Sequence, residues 1–297
     1  LPGNGSAELL TWACRDLAEL TATYLITPAF SDYRRALTAF AAKTIECSLT
    51  FDFLGSHSPS EPSNLPLNPL ASLLHSSADS SFSTCGLLLN NPHNPTGILF
   101  RVEEIVPYLE QFALVLVDEA FMDFLLPEQQ QSLLSFVEVF PNLVILRSLT
   151  KFYSLPGLRL GYVIAHPDRL KRWQQWRDPW SVNTLAAEAA IAMVQDSAFQ
   201  QRTWDWLPAA RQQLWQGLAN LPGLDPLPGA ANFLLVRSEP STTQLQQALL
   251  QRHHLLIRDC LSFAELGDRY FRVAVRTEAE NQRLLAGLET VLGDRFD

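Results

Sequence analysis

The sequence predicts an α/β protein with a large three-layer α/β/α portion, built on a mostly parallel sheet, and a smaller C-terminal α/β portion. Three observations carry that prediction. Short, continuously apolar runs recur between residues 85 and 151 ("CGLLLNN", "ALVLVDEAF", "LVILRSLTK"), each closing on polar residues. Strands buried on both faces read this way, and parallel sheets are made of them. Between the first two runs lies "RVEEIVPYLEQF", a segment with helical periodicity. After about residue 180 the texture turns helical, and then strands and helices alternate to the end. The 297 residues, 47% of them hydrophobic, suffice for one large domain and a smaller one. The expected division is 1–185 and 186–297.

Taken in order, "LPGNGSAELLTWACRDLAEL" reads as a loop and an amphipathic helix, with Ser6 as N-cap and Leu9, Leu10, Ala13 and Leu17 at helical spacing. A β-rich run over 45–53 predicts a strand. Residues 55–84, rich in Ser, Pro and Asn, predict an irregular surface connection with one helical turn. The three apolar runs follow as strands, and "LGYVIA" as another strand of the same sheet. The helical texture continues through Leu218. Beyond it the order is strand "NFLLVR", helix "TTQLQQALLQRHH", strand "LLIRDC", strand "YFRVAVR" and terminal helix "EAENQRLLAGLETVL".

The bulk numbers exclude several functions. A net charge of -9 and a pI near 5.2 argue against nucleic acid or an anionic membrane as partner. Cys14, Cys47, Cys85 and Cys260 are scattered, with no CxxC pair. That is neither zinc-site spacing nor a disulfide framework, so no metal is expected and a reduced, cytoplasmic setting is. No apolar run reaches the roughly 18 residues that span a bilayer, and no signal peptide is evident. The chain opens on Leu1, directly at a Gly-rich turn, which suggests a missing upstream segment.

In open parallel sheets ligands gather beyond the carboxyl ends of the strands. Three strand ends bring Asn94, Asp118 and Lys151 to one rim. A lysine there is partly desolvated; its pKa should fall, freeing the amine to condense with an aldehyde. A surface lysine after a strand is the alternative. Ser148 and Thr150 offer hydroxyls, and Arg159, carried back by the Pro156-Gly157 turn, offers a fork suited to phosphate. A phosphate beside an aldehyde-reactive lysine is what pyridoxal phosphate requires. Asp118 could keep a pyridine nitrogen protonated so that the ring acts as an electron sink; a helix cap or a solvated acid is the alternative. In "NNPHNPTG", Asn94 could donate to the ring 3-oxygen. "GNGS" could present backbone N–H groups to an anion, or be a plain capped turn. Phe30 could stack on a flat ring or belong to the core. Arg258 and Arg272 sit in apolar strands and need anionic partners: Asp259 or Glu265, or a substrate with two anionic groups.

These residues resemble fold-type I pyridoxal-phosphate enzymes, the aspartate aminotransferase superfamily. The motifs are HNPTG at 93–97, D-E-A at 118–120, S-x-x-K at 148–151, and Arg159 after P-G-L, and the resemblance covers nearly the whole chain. It implies pyridoxal 5′-phosphate as cofactor, Lys151 as the Schiff-base lysine and Asp118 at the pyridine nitrogen. It also implies Asn94 at the ring oxygen and Phe30 stacked on the ring. Ser148, Thr150, Arg159 and the backbone at Gly5, Ser6 and Ala7 would hold the phosphate. A homodimer and a small amino acid phosphate as substrate are implied as well.

Two branches compete. Histidinol-phosphate aminotransferases usually read D-E-A-Y, with the tyrosine reaching the ring oxygen, whereas this chain reads "DEAFMDF", so Phe121 cannot make that hydrogen bond. The stretches "LRSLTKFYSLPGLRLGY", "PWSVN" and "RDCLSFAELGDRYFRVAVR" look like the L-threonine-O-3-phosphate decarboxylases of cobalamin synthesis, which release CO2 and yield aminopropanol phosphate. The resemblance then places Arg258 on the substrate's phosphate, Arg272 on its carboxylate, and Asn183 beside the substrate. The expectation is a decarboxylase, then an aminotransferase, then a truncated, non-catalytic cofactor binder. Members of the family carry several tens of residues before the "GNGS" turn.

Overall fold

The computed structural model of the chain describes residues 1–49 and 82–293. Most of the connection expected over 55–84, and the far end of the strand expected over 45–53, lie outside the described residues.

The larger sheet has the strand order β1–β7–β6–β5–β4–β2–β3. Its strands are β1 (Pro2–Asn4), β2 (Thr23–Thr27), β3 (Thr44–Ser48), β4 (Gly86–Asn90), β5 (Leu114–Asp118), β6 (Leu143–Ser148) and β7 (Leu160–Ala165). The five from β3 to β6 are parallel. β2, β4 and β6 are buried along their whole length. That explains why the apolar runs show no alternation. β7 runs antiparallel to β6, and β1 antiparallel to β7. The link from β6 to β7 holds only the one-turn α4 (Leu149–Phe152) and a Pro-Gly turn, not a crossover helix, so the chain returns beside itself.

Alternate side chains of the sheet face opposite layers. On one side Leu25, Leu88, Leu116 and Val144 pack against α1 (Gly5–Ala18), α2 (Ser31–Ala39) and Trp173 of α5 (Pro167–Gln174). On the other, Tyr24, Leu87, Val115 and Ile145 pack against α3 (Val102–Leu109) and residues of the C-terminal portion. This is the three-layer arrangement the sequence predicts. Ser6 is not the N-cap of α1. The helix begins at Gly5, two residues earlier than that cap would set it, Asn4 takes the cap position, and the Glu8 carboxylate accepts the Asn4 N–H at 2.6 Å.

The second sheet, ordered β10–β11–β9–β8, is antiparallel throughout. It comprises β8 (Leu224–Pro226), β9 (Phe233–Ser238), β10 (Arg258–Asp259) and β11 (Tyr270–Ala274). α7 (Ser197–Ala219), α8 (Thr242–His253) and α9 (Glu278–Gly293) cover one face around Leu214, Leu234, Phe271 and Leu288. Of "LLIRDC" only Arg258 and Asp259 pair as strand. α6 (Thr184–Gln195) lies near β7.

The chain steps from β2 outward to β3, then returns to β4 on the other side of β2. Strand order reverses there, the place where open α/β sheets leave a crevice beyond the carboxyl ends of their strands. The residues that follow β2, β4, β5 and β6 share that rim.

Candidate active site

β5 ends on Asp118, at the base of the crevice. Its carboxylate accepts the Tyr33 hydroxyl at 2.8 Å and the Ala120 N–H at 3.0 Å. Burial lifts its pKa above the usual carboxylate range; Tyr33, Ala120 and the Lys151 ammonium pull it back. Tyr33 comes from α2 and is itself buried. Burial, then the charge of Asp118, holds its pKa well above 10, so it remains a donor. Sequence reasoning missed Tyr33, although "FSDY" sets it three residues after Phe30, one helical turn along.

Lys151 lies on α4, its neighbour Phe152 anchored among Phe124, Tyr153, Phe199 and Trp204. The lysine side chain opens to the cleft and makes no hydrogen bond or ion pair with another described residue. Protein packed around it lowers its pKa; Asp118 opposes this, and Arg272 and Arg159 reinforce it. The direction matches the expectation for a strand-end lysine, although the side chain is more open than expected.

Polar groups after β6 and β7 gather at the first turn of α1. Ser148 and Thr150 hydroxyls stand 2.8 Å apart, both buried. Arg159 takes a left-handed φ of 56° after the Pro156-Gly157 turn, which swings its guanidinium against Gly5. A Cβ on Gly5 would lie 2.4 Å from the Arg159 Nη2, and one on Gly161 2.5 Å from the Ser6 nitrogen. Two glycines thus allow Arg159, β7 and the first turn of α1 to close on one place. The N–H groups of Gly5, Ser6 and Ala7 lack intrahelical partners there, at the positive end of the helix.

Asn94, buried in the loop after β4, accepts the Arg272 Nη1–H at 2.5 Å through Oδ1, which leaves its amide N–H groups to donate. Phe30 follows β2, is 38% exposed, and meets Tyr33 edge-on at 5.7 Å. Arg272 and Arg258 are register partners on β11 and β10. Neither pairs with Asp259 or Glu265. Glu265 binds Arg34, and Asp259 accepts from Gln246 and the Leu261 N–H. The Arg272 guanidinium lies 4.6 Å over the Phe233 ring, and its burial lowers its pKa. Lys151, Phe121, Phe233, Arg258 and Arg272 line one cavity of about 510 Å³.

Asn183 is not brought to that cavity. It caps α6, accepting the Ala186 N–H at 2.8 Å, and donates to the Leu158 carbonyl at 3.1 Å. Both ends of its amide are engaged in fixing the turn that carries Arg159. Behind the rim, fully buried Glu119 pairs with Arg147 at 2.9 Å, and Arg147 reaches Asp123 at 2.5 Å. This buried pair ties the end of β5 to the end of β6.

The donor set fits pyridoxal 5′-phosphate: a cationic, N–H-rich corner only as wide as two glycines permit, a lysine amine with no hydrogen-bond or ion-pair partner among the described residues, and a carboxylate held by two donors.

The chain is also similar to known proteins. The chain is 37% identical to threonine-phosphate decarboxylase of Salmonella typhimurium over 98% of its own length and 76% of that protein. It is 32% identical to histidinol-phosphate aminotransferase 1 of Nitrosococcus oceani, over 98% of this chain and 74% of the other. Its fold superposes on L-threonine-O-3-phosphate decarboxylase of Porphyromonas gingivalis with a TM-score of 0.81 and 25% identity, covering 99% of this chain and 83% of that one. The histidinol-phosphate aminotransferase of Clostridium acetobutylicum, at 23% identity, gives a TM-score of 0.83 over 99% and 84%. The sequence model of aminotransferase class I and II matches residues 1–288, and the chain belongs to that family of pyridoxal 5′-phosphate enzymes.

Proposed function

We propose that the protein decarboxylates L-threonine O-3-phosphate to (R)-1-aminopropan-2-yl phosphate, the amino alcohol phosphate used in cobalamin synthesis. The observation that carries this reading is the 37% identity to threonine-phosphate decarboxylase of Salmonella typhimurium along nearly the whole chain. Phe121 supports it, standing where histidinol-phosphate aminotransferases usually carry a tyrosine.

Bound in the cleft, pyridoxal 5′-phosphate supplies an aldehyde that holds the substrate amine and a ring that accepts the electron pair released at Cα. Asp118 keeps the ring nitrogen protonated, since a carboxylate lifted by burial gains most from a cationic partner. Tyr33 and the Ala120 N–H fix its orientation. Ser148, Thr150, Arg159 and the N–H groups of Gly5, Ser6 and Ala7 grip the phosphate. Asn94 would donate to the ring oxygen, and Phe30 would cover one ring face. Arg272 takes the substrate carboxylate, and Arg258, exposed at the cavity wall, takes its phosphate. Lys151, its pKa drawn down by the protein packed around it, would be the amine that holds the aldehyde and the acid placed to return a proton to Cα.

In this reading the chain divides near residue 185 into a cofactor-binding part and a C-terminal part. It works in the cytoplasm, a setting suited to four unpaired, buried cysteines. It works as a homodimer, for which the exposed apolar side chains of α6 supply a contact surface.

The test is a product assay on cofactor-loaded protein. L-threonine phosphate should yield CO2 and aminopropanol phosphate without keto acid, and Lys151→Ala should lose both turnover and the visible band of lysine-bound cofactor. Keto product in place of CO2 would make the protein an aminotransferase for histidinol phosphate or a similar compound. A visible band with no turnover would leave a cofactor-binding relative.

A further inference from the structure

We propose that Arg276 and Arg283 form a cationic rim that draws dianionic amines into the cavity, and that Glu280 sets how strongly Arg276 attracts them. The inference rests on the proposed function only for its substrate class, an amino acid phosphate. Among the described residues the cavity is lined by four arginines, Arg258, Arg272, Arg276 and Arg283, beside Lys151, and by one carboxylate, Glu280. The rest of that lining is uncharged. The chain as a whole carries a net charge of -9. The cavity therefore has the opposite sign to the molecule, the arrangement that gathers anions from solution.

Strand geometry separates the rim from the corner that holds Arg258 and Arg272. Phe271, Val273 and Val275 turn into the C-terminal core. Arg272, Ala274 and Arg276 fall on the opposite side and line the cavity. Arg258 is the register partner of Arg272, so those two stand side by side. Arg276 lies four extended residues further on, about 13 Å along the backbone. Its guanidinium is turned to Glu280, with Nε at 3.1 Å and Nη2 at 2.6 Å from Oε1. Arg283, on α9, gives Nη2 to the His253 carbonyl at 2.9 Å. Both arginines are exposed, so water screens the pair with Glu280 and Arg276 is not locked by it. Glu280 is fixed from its other side, where Oε2 accepts the Thr277 hydroxyl at 2.7 Å and the Thr277 N–H at 3.3 Å. Its negative charge is thereby held at the rim and offsets part of the arginines' pull. One unit charge about 10 Å from the path of a dianion changes its local concentration about threefold in water at low salt.

The test follows oxime formation at the cofactor held by Lys151, read as loss of the visible band. Two aminooxy compounds are compared: 2-(aminooxy)ethyl phosphate, a dianion, and O-methylhydroxylamine, which is neutral. In each case the C=N bond to Lys151 breaks and a C=N bond to the aminooxy nitrogen forms. The two protons of that nitrogen pass to the lysine nitrogen. No carboxylate is lost and no keto acid is made, so these rates are independent of the reaction the protein performs. At about 0.01 M salt, charge acts over about 30 Å. There Arg276→Gln and Arg283→Gln should each slow the phosphate probe about threefold, and Glu280→Gln should speed it about threefold. Glutamine can keep the bonds to Thr277 that start α9. At about 1 M salt, where the reach is about 3 Å, all three variants should merge with the parent. O-Methylhydroxylamine should react alike with parent and variants at both salts, which reports that they are folded and loaded. The rim is overturned if Glu280→Gln does not speed the phosphate probe. It is overturned equally if the arginine variants stay slow at high salt, as residues touching the anion would. L-threonine phosphate left unconsumed by a parent whose oxime rates follow this pattern brings down the substrate reading and leaves the rim. Turnover of that substrate, with oxime rates that ignore salt and substitution, brings down the rim alone.

Discussion

Asp118 has a charge that burial opposes and two donors sustain, and the donors differ in kind. The Ala120 N–H belongs to the backbone and cannot be removed; the Tyr33 hydroxyl can. A hydrogen bond to an ionised carboxylate favours the charged form, so losing it raises the acid's pKa further. Tyr33→Phe should therefore move the acidic limb of the kcat/KM profile to higher pH. The basic limb should stay in place, because the nearest base, Lys151, has no bond to Tyr33. On the acid side activity should drop about tenfold, the worth of one hydrogen bond to a charged group. The pH–rate profiles of parent and variant check this, and an acidic limb that stays put would mean the hydroxyl has no hold on the acid.

The loop between β4 and α3 shows the same logic at the scale of an element. His93 is fully buried there, with Nδ1 2.7 Å from the Thr96 hydroxyl and no partner for Nε2 among the described residues. Burial pushes its pKa down to about 3. The unfolded chain takes up a proton near pH 6.5, which the folded loop refuses until about 3, so the folded state is favoured above 6.5 and loses ground as pH falls. The loss approaches about 1.4 kcal/mol per pH unit. His93→Gln should start lower and decline less steeply between pH 6.5 and 4, as read from denaturant midpoints; parallel curves would remove His93 from the account. The loop was legible in sequence because its chemistry is local: prolines, a glycine and Asn94 within a few residues. Lys151, Asp118 and Arg159 were legible for the same reason, each closing or following one apolar strand. Tyr33 reaches Asp118 across 85 positions, and Arg272 reaches Asn94 across 178. Such pairings leave no periodicity to read. β8 and β10, only three and two residues long, are likewise too short to alternate. The antiparallel return of β7 follows from the brevity of α4, which no apolar pattern reports.

At the scale of the whole molecule, α6 is a helix that packs against little among the described residues. Its sequence, TLAAEAAIAMVQ, holds a single charge, Glu188, and only Ala186 is buried. Leu185, Ile191 and Val194 are 74%, 55% and 53% exposed, and Trp180, just before the helix, is 90% exposed. A helix apolar on nearly every side is stable in water when a second surface covers it. A second copy of the chain supplies an identical face, and such a two-fold contact is self-complementary. The protein should therefore sediment as a dimer at micromolar concentration. Ile191→Arg places an unpaired charge in the contact of each copy, which a buried interface resists, and should weaken association at least about tenfold. Lys151 and Asp118 are carried by other elements, so the isolated variant should still take up cofactor. Sedimentation velocity across a dilution series reads the association, and the visible band of bound cofactor shows that the variant remains folded. A parent that stays monomeric, or a variant that dimerises as well as the parent, would leave α6 without the partner argued for it.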